Sequence, residues 1–188
     1  MKNQVIKVAI TGPESTGKSM LAEKLAGYYH TVWVPEYARE YINNINRPYN
    51  QDDILEIARG QIRSETKICK QASELLICDT ELIVTKIWSE VKYGKCDPWI
   101  LNKLGSHKYD LYLLCDIDIP WSEDPQREHP HMREKLRNLY RQELLTRALP
   151  FFIISGIGNE RLDNAIRIID IFINSKFKRQ SSNLKAKT

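Results

Sequence analysis

Gly12-Pro13-Glu14-Ser15-Thr16-Gly17-Lys18-Ser19 is the stretch that decides the reading of this chain. It fits the phosphate-binding pattern G-x-x-x-x-G-K-[ST], which a chain of this length meets by chance about once in a hundred sequences. Its surroundings are those the pattern needs. Val5-Ile6-Lys7-Val8-Ala9-Ile10 precedes it, apolar and β-branched, and predicts a buried parallel strand. From Lys18 onward, Met20, Leu21, Leu25 and Tyr28 predict one face of a helix. Gly12 and Gly17 permit the backbone turns that aim successive N–H groups at phosphates, and the helix N-terminus adds to that field. The expected ligands are ATP and Mg²⁺. Residues Gly12, Pro13, Glu14, Ser15, Thr16, Gly17, Lys18, Ser19 and Met20 form the expected nucleotide site. Within it, Lys18 reaches the β- and γ-phosphates and the Ser19 hydroxyl ligates Mg²⁺. The pattern does not by itself separate kinases from ATPases or GTPases, but no Asn/Thr-Lys-x-Asp guanine signature is present.

Working outward, Thr31-Val32-Trp33-Val34 is a short strand stopped by Pro35. Helices are predicted over residues 38–45 and 51–73, the second with capping residues at 50–53, and Leu75-Leu76-Ile77-Cys78 is a strand ending on Asp79. Helices near 80–92 and 97–104, a strand over 109–115, a helix near 133–147, a strand over 151–154 and a helix over 159–174 follow. Strands alternating with helices predict an α/β, three-layer fold, a five-stranded parallel sheet flanked by helices. One kinase-like domain is expected over residues 1–175, with a polar, Pro-rich lid near 116–133.

The chain has 188 residues, 42% hydrophobic and 28% charged, with a net charge of +4. Residues 176–188 hold five positive charges and no negative one, and without them the remainder stands at −1. That stretch reads as a disordered basic tail, and the rest makes no electrostatic case for nucleic acid. No apolar run approaches the roughly 20 residues that cross a bilayer. The apolar run at 5–10 is too short for a signal-peptide core, so the cytoplasm is the expected location and no membrane partner is expected. The four cysteines, Cys69, Cys78, Cys96 and Cys115, form no CxxC pair, and Cys78 and Cys115 lie in apolar runs that suit burial. An oligomer is compatible with the sequence.

Ligands of such sheets bind at the carboxyl ends of the strands, and three strands here end in acids. Asp79 has the form of a second Mg²⁺ carboxylate, or alternatively caps the following helix. Glu36 is a candidate base for an attacking hydroxyl, or alternatively an i,i+3 partner of Arg39. Asp116 and Asp118 cap or orient the loop after them. Arg127 and Arg133, on the lid, are candidate clamps for a transferring phosphoryl, with Arg137 the weaker third. His129 and His131 have no evident third metal ligand and read as lid or surface residues.

Several phrases together carry a family resemblance: Thr11-Gly-Pro-Glu-Ser-Thr-Gly-Lys-Ser19, Val34-Pro-Glu-Tyr-Ala-Arg-Glu-Tyr41, Cys78-Asp-Thr80, Thr85-Lys-Ile-Trp88, Asp116-Ile-Asp-Ile-Pro-Trp121 and Asp124-Pro-Gln-Arg127. Over residues 4–172 the chain resembles the NadR-like ribosylnicotinamide kinases, P-loop proteins that phosphorylate nicotinamide riboside to nicotinamide mononucleotide. The resemblance implies a small-molecule nucleoside as acceptor. It also implies a substrate site at Glu36, Tyr37, Arg39, Asp79, Trp88 and Trp121, where aromatic faces and carboxylates suit a cationic pyridinium. Each aromatic has core packing as its other reading. Bifunctional members carry a nucleotidyltransferase domain ahead of the kinase. With the P-loop twelve residues from the start, that domain is expected to be absent. Two other readings stay open, a kinase of a different nucleoside or nucleotide and a nucleotide-binding regulatory module.

Overall fold

A computed structural model describes residues 5–185 of the chain. Its centre is a parallel sheet in the order β2-β3-β1-β4-β5, formed by β1 (Ile6–Thr11), β2 (Trp33–Val34), β3 (Leu75–Asp79), β4 (Leu111–Cys115) and β5 (Phe151–Ile154). Every residue of β3 and β4 is buried, which is why these strands read as unbroken apolar runs and not as alternating ones. Residues of alternate parity face opposite layers. Val8, Ile10, Ile77, Leu111 and Leu113 pack under α1 (Lys18–Tyr28) and α7 (Asn159–Lys185). Ala9, Leu76, Cys78, Tyr112 and Leu114 pack on the other face under α3 (Gln51–Ile68), α4 (Leu82–Tyr93), α5 (Pro98–Ser106) and α6 (Arg133–Thr146). The remaining helix, α2 (Tyr37–Asn44), buries no residue and leans on α3.

The expected three-layer architecture is therefore present, with four local corrections. On α1 the buried stripe is Leu21, Ala22, Leu25 and Ala26, while Met20 and Tyr28 are 62% and 54% exposed, because small alanines let the helix sit close to the sheet. Helix α3 ends at Ile68 and a tight turn, Cys69–Gln71, completes the run that was expected to reach 73. Helix α4 begins at Leu82, two residues late, because Glu81 and not Asp79 caps it. Helix α7 continues past 174 to Lys185, since no Gly or Pro interrupts it and Lys176 pairs with Asp110 at 2.5 Å. The basic stretch is helical up to Lys185, and 186–188 lie outside the described residues. Among the described residues no helix is long and apolar enough to cross a membrane.

Below the sheet, at its amino end, Glu65 of α3 joins three elements. Its carboxylate is 1% exposed and accepts hydrogen bonds from Lys7 Nζ at 2.8 Å, Tyr109 Oη at 2.6 Å and His107 Nε2 at 2.9 Å. Burial alone would raise the pKa of that carboxyl, but the bonds from His107, Lys7 and Tyr109 outweigh it and hold the group below the usual range. Removing one member of a buried ion pair costs about 3–5 kcal/mol. Lys7 is partly exposed and can turn to water, so Glu65→Ala is expected to cost about 3 kcal/mol, the low end of that range, in urea unfolding at neutral pH. A loss under about 1 kcal/mol would mean that the cluster does not hold these elements together.

Candidate active site

The phosphate loop leaves β1 at the carboxyl edge of the sheet. Gly12 has φ 131, and a Cβ there would lie 3.0 Å from the Cys115 carbonyl oxygen of β4, so no larger residue fits without displacing backbone. Gly17 turns into α1 at φ 74, and Ser15 also takes a positive φ of 54. Inside the loop, the Pro13 carbonyl accepts hydrogen bonds from Thr16 Oγ1 at 2.8 Å and Lys18 Nζ at 2.7 Å. Behind it lies Arg161 of α7, only 3% exposed. Its guanidinium donates to the carbonyls of Thr16, Gly156 and Asp116 and pairs with Asp118. Asp118 also accepts from the Gly156 N–H of the loop after β5, while Asp116 accepts from Ile117 N at 2.8 Å and pairs with Arg137 at 2.8 Å, so both acids hold the loop they begin.

Asp79 ends β3 directly opposite Ile10 of β1. It is 1% exposed, and neither carboxylate oxygen has a hydrogen-bond partner of good geometry. Burial pushes its pKa up to about 6, with the charge of Glu36 adding to the shift; the Ser19 hydroxyl, Lys18 and Arg39 offset part of it. The alternative role of helix cap is taken by Glu81, whose buried carboxylate accepts from Ile83 N at 2.6 Å and Thr11 Oγ1 at 2.9 Å. A buried acid with two unused oxygens beside a hydroxyl is a donor set that fits a hard divalent cation. Among the described residues no group of three or more His, Cys, Asp or Glu is arranged to hold a metal on its own.

A cavity of about 270 Å³ opens in front of the loop. Gly12, Glu14 to Met20, Glu36, Arg39, Trp88 and Arg127 line it, as do Ala38, Ile42, Val84, Ile87, Val91, Gln126, His129, Leu136 and Tyr140. The structure thus brings most of the nucleotide set together with Glu36, Arg39, Trp88 and Arg127. Glu36 does not pair with Arg39, whose guanidinium bonds to Asp124 on the lid at 2.9 Å. The Glu36 side chain does not cap α2 either.

Three of the expected site residues point elsewhere. The Tyr37 ring packs into the notch at Gly60 on α3, where a Cβ would meet it at 1.9 Å. Trp121 donates its indole N–H to Glu123 on the lid at 3.0 Å and does not line the cavity. Arg133 donates from one guanidinium nitrogen to the carbonyls of Ser15 at 2.9 Å and Ile119 at 2.8 Å, which ties the lid to the loop, and it does not line the cavity as Arg127 does. The aliphatic wall from α2, α4 and α6 went unread in the sequence because those residues look like ordinary core positions of amphipathic helices.

The lid is docked on the loop. The Glu14 carboxylate accepts from the N–H groups of Glu128 at 3.1 Å and His129 at 3.0 Å, and Ser15 Oγ accepts from Ser122 N at 2.9 Å. On its far side Glu128 pairs with Lys92 at 2.7 Å and accepts from Tyr49 Oη at 2.7 Å. Tyr49 Oη in turn accepts the Trp88 indole N–H at 2.9 Å. His129 faces the cavity with its Nδ1 3.6 Å from Glu14, a lid-packing position.

Comparison with known proteins gives a consistent result. Residues 7–161 match a family described as AAA domain. The chain is 30% identical over 126 residues to the trifunctional NAD biosynthesis/regulator protein NadR of Escherichia coli (strain K12), which covers 64% of this chain and 30% of that protein. The chain therefore spans under a third of that relative's length. A crystal structure of NadR protein in complex with NR superposes with a TM-score of 0.75 at 21% identity, covering 89% of this chain and 49% of that one. Thymidylate kinase from Ehrlichia chaffeensis superposes at 0.62 with 14% identity, covering 89% and 98%. These likenesses show the P-loop kinase fold. Because the family match takes in the phosphate loop, the lid and every strand of the sheet, the chain belongs to the AAA-domain family.

Proposed function

We propose that this chain is an ATP-dependent kinase that transfers the γ-phosphoryl group to the 5′-hydroxyl of nicotinamide riboside, giving nicotinamide mononucleotide. The observation that carries the reading is a cavity with the phosphate loop on one wall and Glu36, Arg39 and Trp88 on the other. A donor and an acceptor bound there meet within it. The likeness to NadR supports the riboside as acceptor. A second reading, a kinase of another nucleoside or nucleotide, draws on the aliphatic wall of Ile42, Val84, Ile87 and Val91, which accommodates any flat ring.

In this mechanism the loop N–H groups and the α1 N-terminus bind the phosphates, and Lys18 leaves the Pro13 carbonyl to reach the β- and γ-oxygens. Ser19 and Asp79 would hold Mg²⁺, which would neutralise phosphate charge when bound. Glu36, unpaired with Arg39, accepts the proton of the attacking hydroxyl. Trp88 and the aliphatic wall hold the ring of the acceptor, and Arg127 sets its charge against the phosphoryl in flight. The docked lid holds Arg127 and His129 at the cavity wall.

Lys18→Ala is expected to abolish turnover with an unchanged circular dichroism spectrum, and near-normal transfer by that variant would reject the kinase reading. Glu36→Gln is expected to lower kcat by about 10²–10⁴, and full activity would remove Glu36 from the base role while leaving the rest. A coupled ADP-release assay decides the acceptor. Release stimulated by nicotinamide riboside is the expected outcome. Stimulation only by another nucleoside favours the second reading, and nucleotide binding without stimulated release by any acceptor points to a regulatory module.

A further inference from the structure

Gln61 lies in the middle of α3 with 3% of its surface exposed, and both ends of its side-chain amide are engaged. Its Oε1 accepts the backbone N–H of Tyr37 at 2.8 Å, and its Nε2 donates to the backbone carbonyl of Asp79 at 3.2 Å. One partner can only donate and the other can only accept, so the chemistry of the partners fixes the orientation of the amide. Tyr37 directly follows Glu36, and Asp79 is the last residue of β3. One buried side chain therefore spans from the peptide beside one acid of the site to the peptide of the other. Gly60, the preceding residue, makes the same attachment by a second route. A Cβ there would lie 1.9 Å from Tyr37 Cε1, so the Tyr37 ring occupies space that only glycine leaves. With Tyr37 fixed toward α3, Glu36 at the start of α2 is left facing the cavity.

We propose that Gln61, together with Gly60, is a positioning residue that sets the placement of Glu36 relative to Asp79 at the reacting centre. The proposal rests on the kinase reading for what that placement does, and on geometry alone for its existence. A position that only filled the core would take Leu or Met with no polar group to satisfy. A buried amide that makes both bonds holds its partners in register, because losing either one strands a buried backbone group. Where reacting groups must be held in near-attack geometry, a displacement of about 1 Å costs on the order of 10² in rate. Gln61 bonds to nothing in the phosphate loop, and the pairing of β3 with β1 holds Asp79 without it, so the partner that moves when the link is broken is Glu36 and the nucleotide site is left in place.

Two variants break the link by different means. Gln61→Met keeps the volume and removes both hydrogen bonds, and Gly60→Ala displaces the Tyr37 ring while leaving Gln61 in place. Both are expected to lower kcat about 10- to 100-fold, with KM for ATP within about twofold of the wild type. Amide hydrogen exchange of Tyr37, read by NMR in the protein without substrates, is expected to quicken about tenfold or more in Gln61→Met. That measurement needs no acceptor, so it still decides whether the link exists if the wild-type chain phosphorylates no nucleoside. Unchanged Tyr37 exchange overturns the proposal. So does an unchanged kcat in both variants of an active enzyme, or a fall in kcat matched by KM for ATP and by a general loss of thermal stability.

Discussion

β1 is paired in parallel on both sides, with Ile10 opposite Asp79 of β3 and Leu113 of β4. The chain leaving β1 must turn in the gap between two strand ends, and Gly12 makes that turn in contact distance of the β4 backbone. Nearly everything else about the site follows from this crowding. The loop can only rise over the carboxyl edge, where α1 starts and its N–H groups converge. The same pairing brings Asp79 alongside the loop on one flank and Asp116 on the other. Arg161, reaching from α7, then occupies the space behind the loop, with its donors spent on carbonyls and on Asp118. The loop is thereby held between a fixed cation at its back and an open cavity at its front.

The lid depends on the loop in turn. Glu14 and Ser15 are variable positions of the phosphate pattern, so the pattern assigns them no chemistry. In the fold they are docking points: Glu14 takes two lid N–H groups, and the oxygens of Ser15 accept from Ser122 and Arg133. The far end of the lid is anchored by Glu128 to Lys92 and Tyr49 and by Asp124 to Arg39. Two anchors on α4 and α2 and one on the loop place Arg127 at the cavity wall. Charged side chains at both ends hold this segment, which explains why it reads in sequence as a solvated polar loop.

The sheet and most helix positions were legible because a parallel sheet covered on both faces demands apolar runs, and the runs at β3 and β4 have no other use. The phosphate loop was legible because its chemistry needs fixed residue types at fixed spacing. The opposite wall of the cavity was not, and the reason is geometric. Tyr37 and Trp88 are equivalent as aromatic residues in motif-bearing helices, yet one faces α3 and the other the cavity, and only the Gly60 notch decides between them. The two ends of α1 show the same limit in small form, since Met20 and Tyr28 fit the helical period as well as Ala22 and Ala26 do. What excludes them from the core is the short distance between helix and sheet, which periodicity does not record.

Arg39 shows how the two halves of the site are joined. It stands one helical turn after Glu36, where an isolated helix would favour the pair by a few tenths of a kcal/mol. The guanidinium bonds instead to Asp124, a lid carboxylate that also accepts the Gln126 N–H at 2.9 Å. Asp124 is the stronger partner because its other hydrogen bond already fixes it in place, whereas a freely turning Glu36 would lose rotamer freedom to make the pair. The docked lid thus takes the guanidinium of Arg39 as its own partner and leaves the Glu36 carboxylate on the cavity wall without an ion pair to Arg39. Two acids of like charge kept near each other favour a proton or a cation between them.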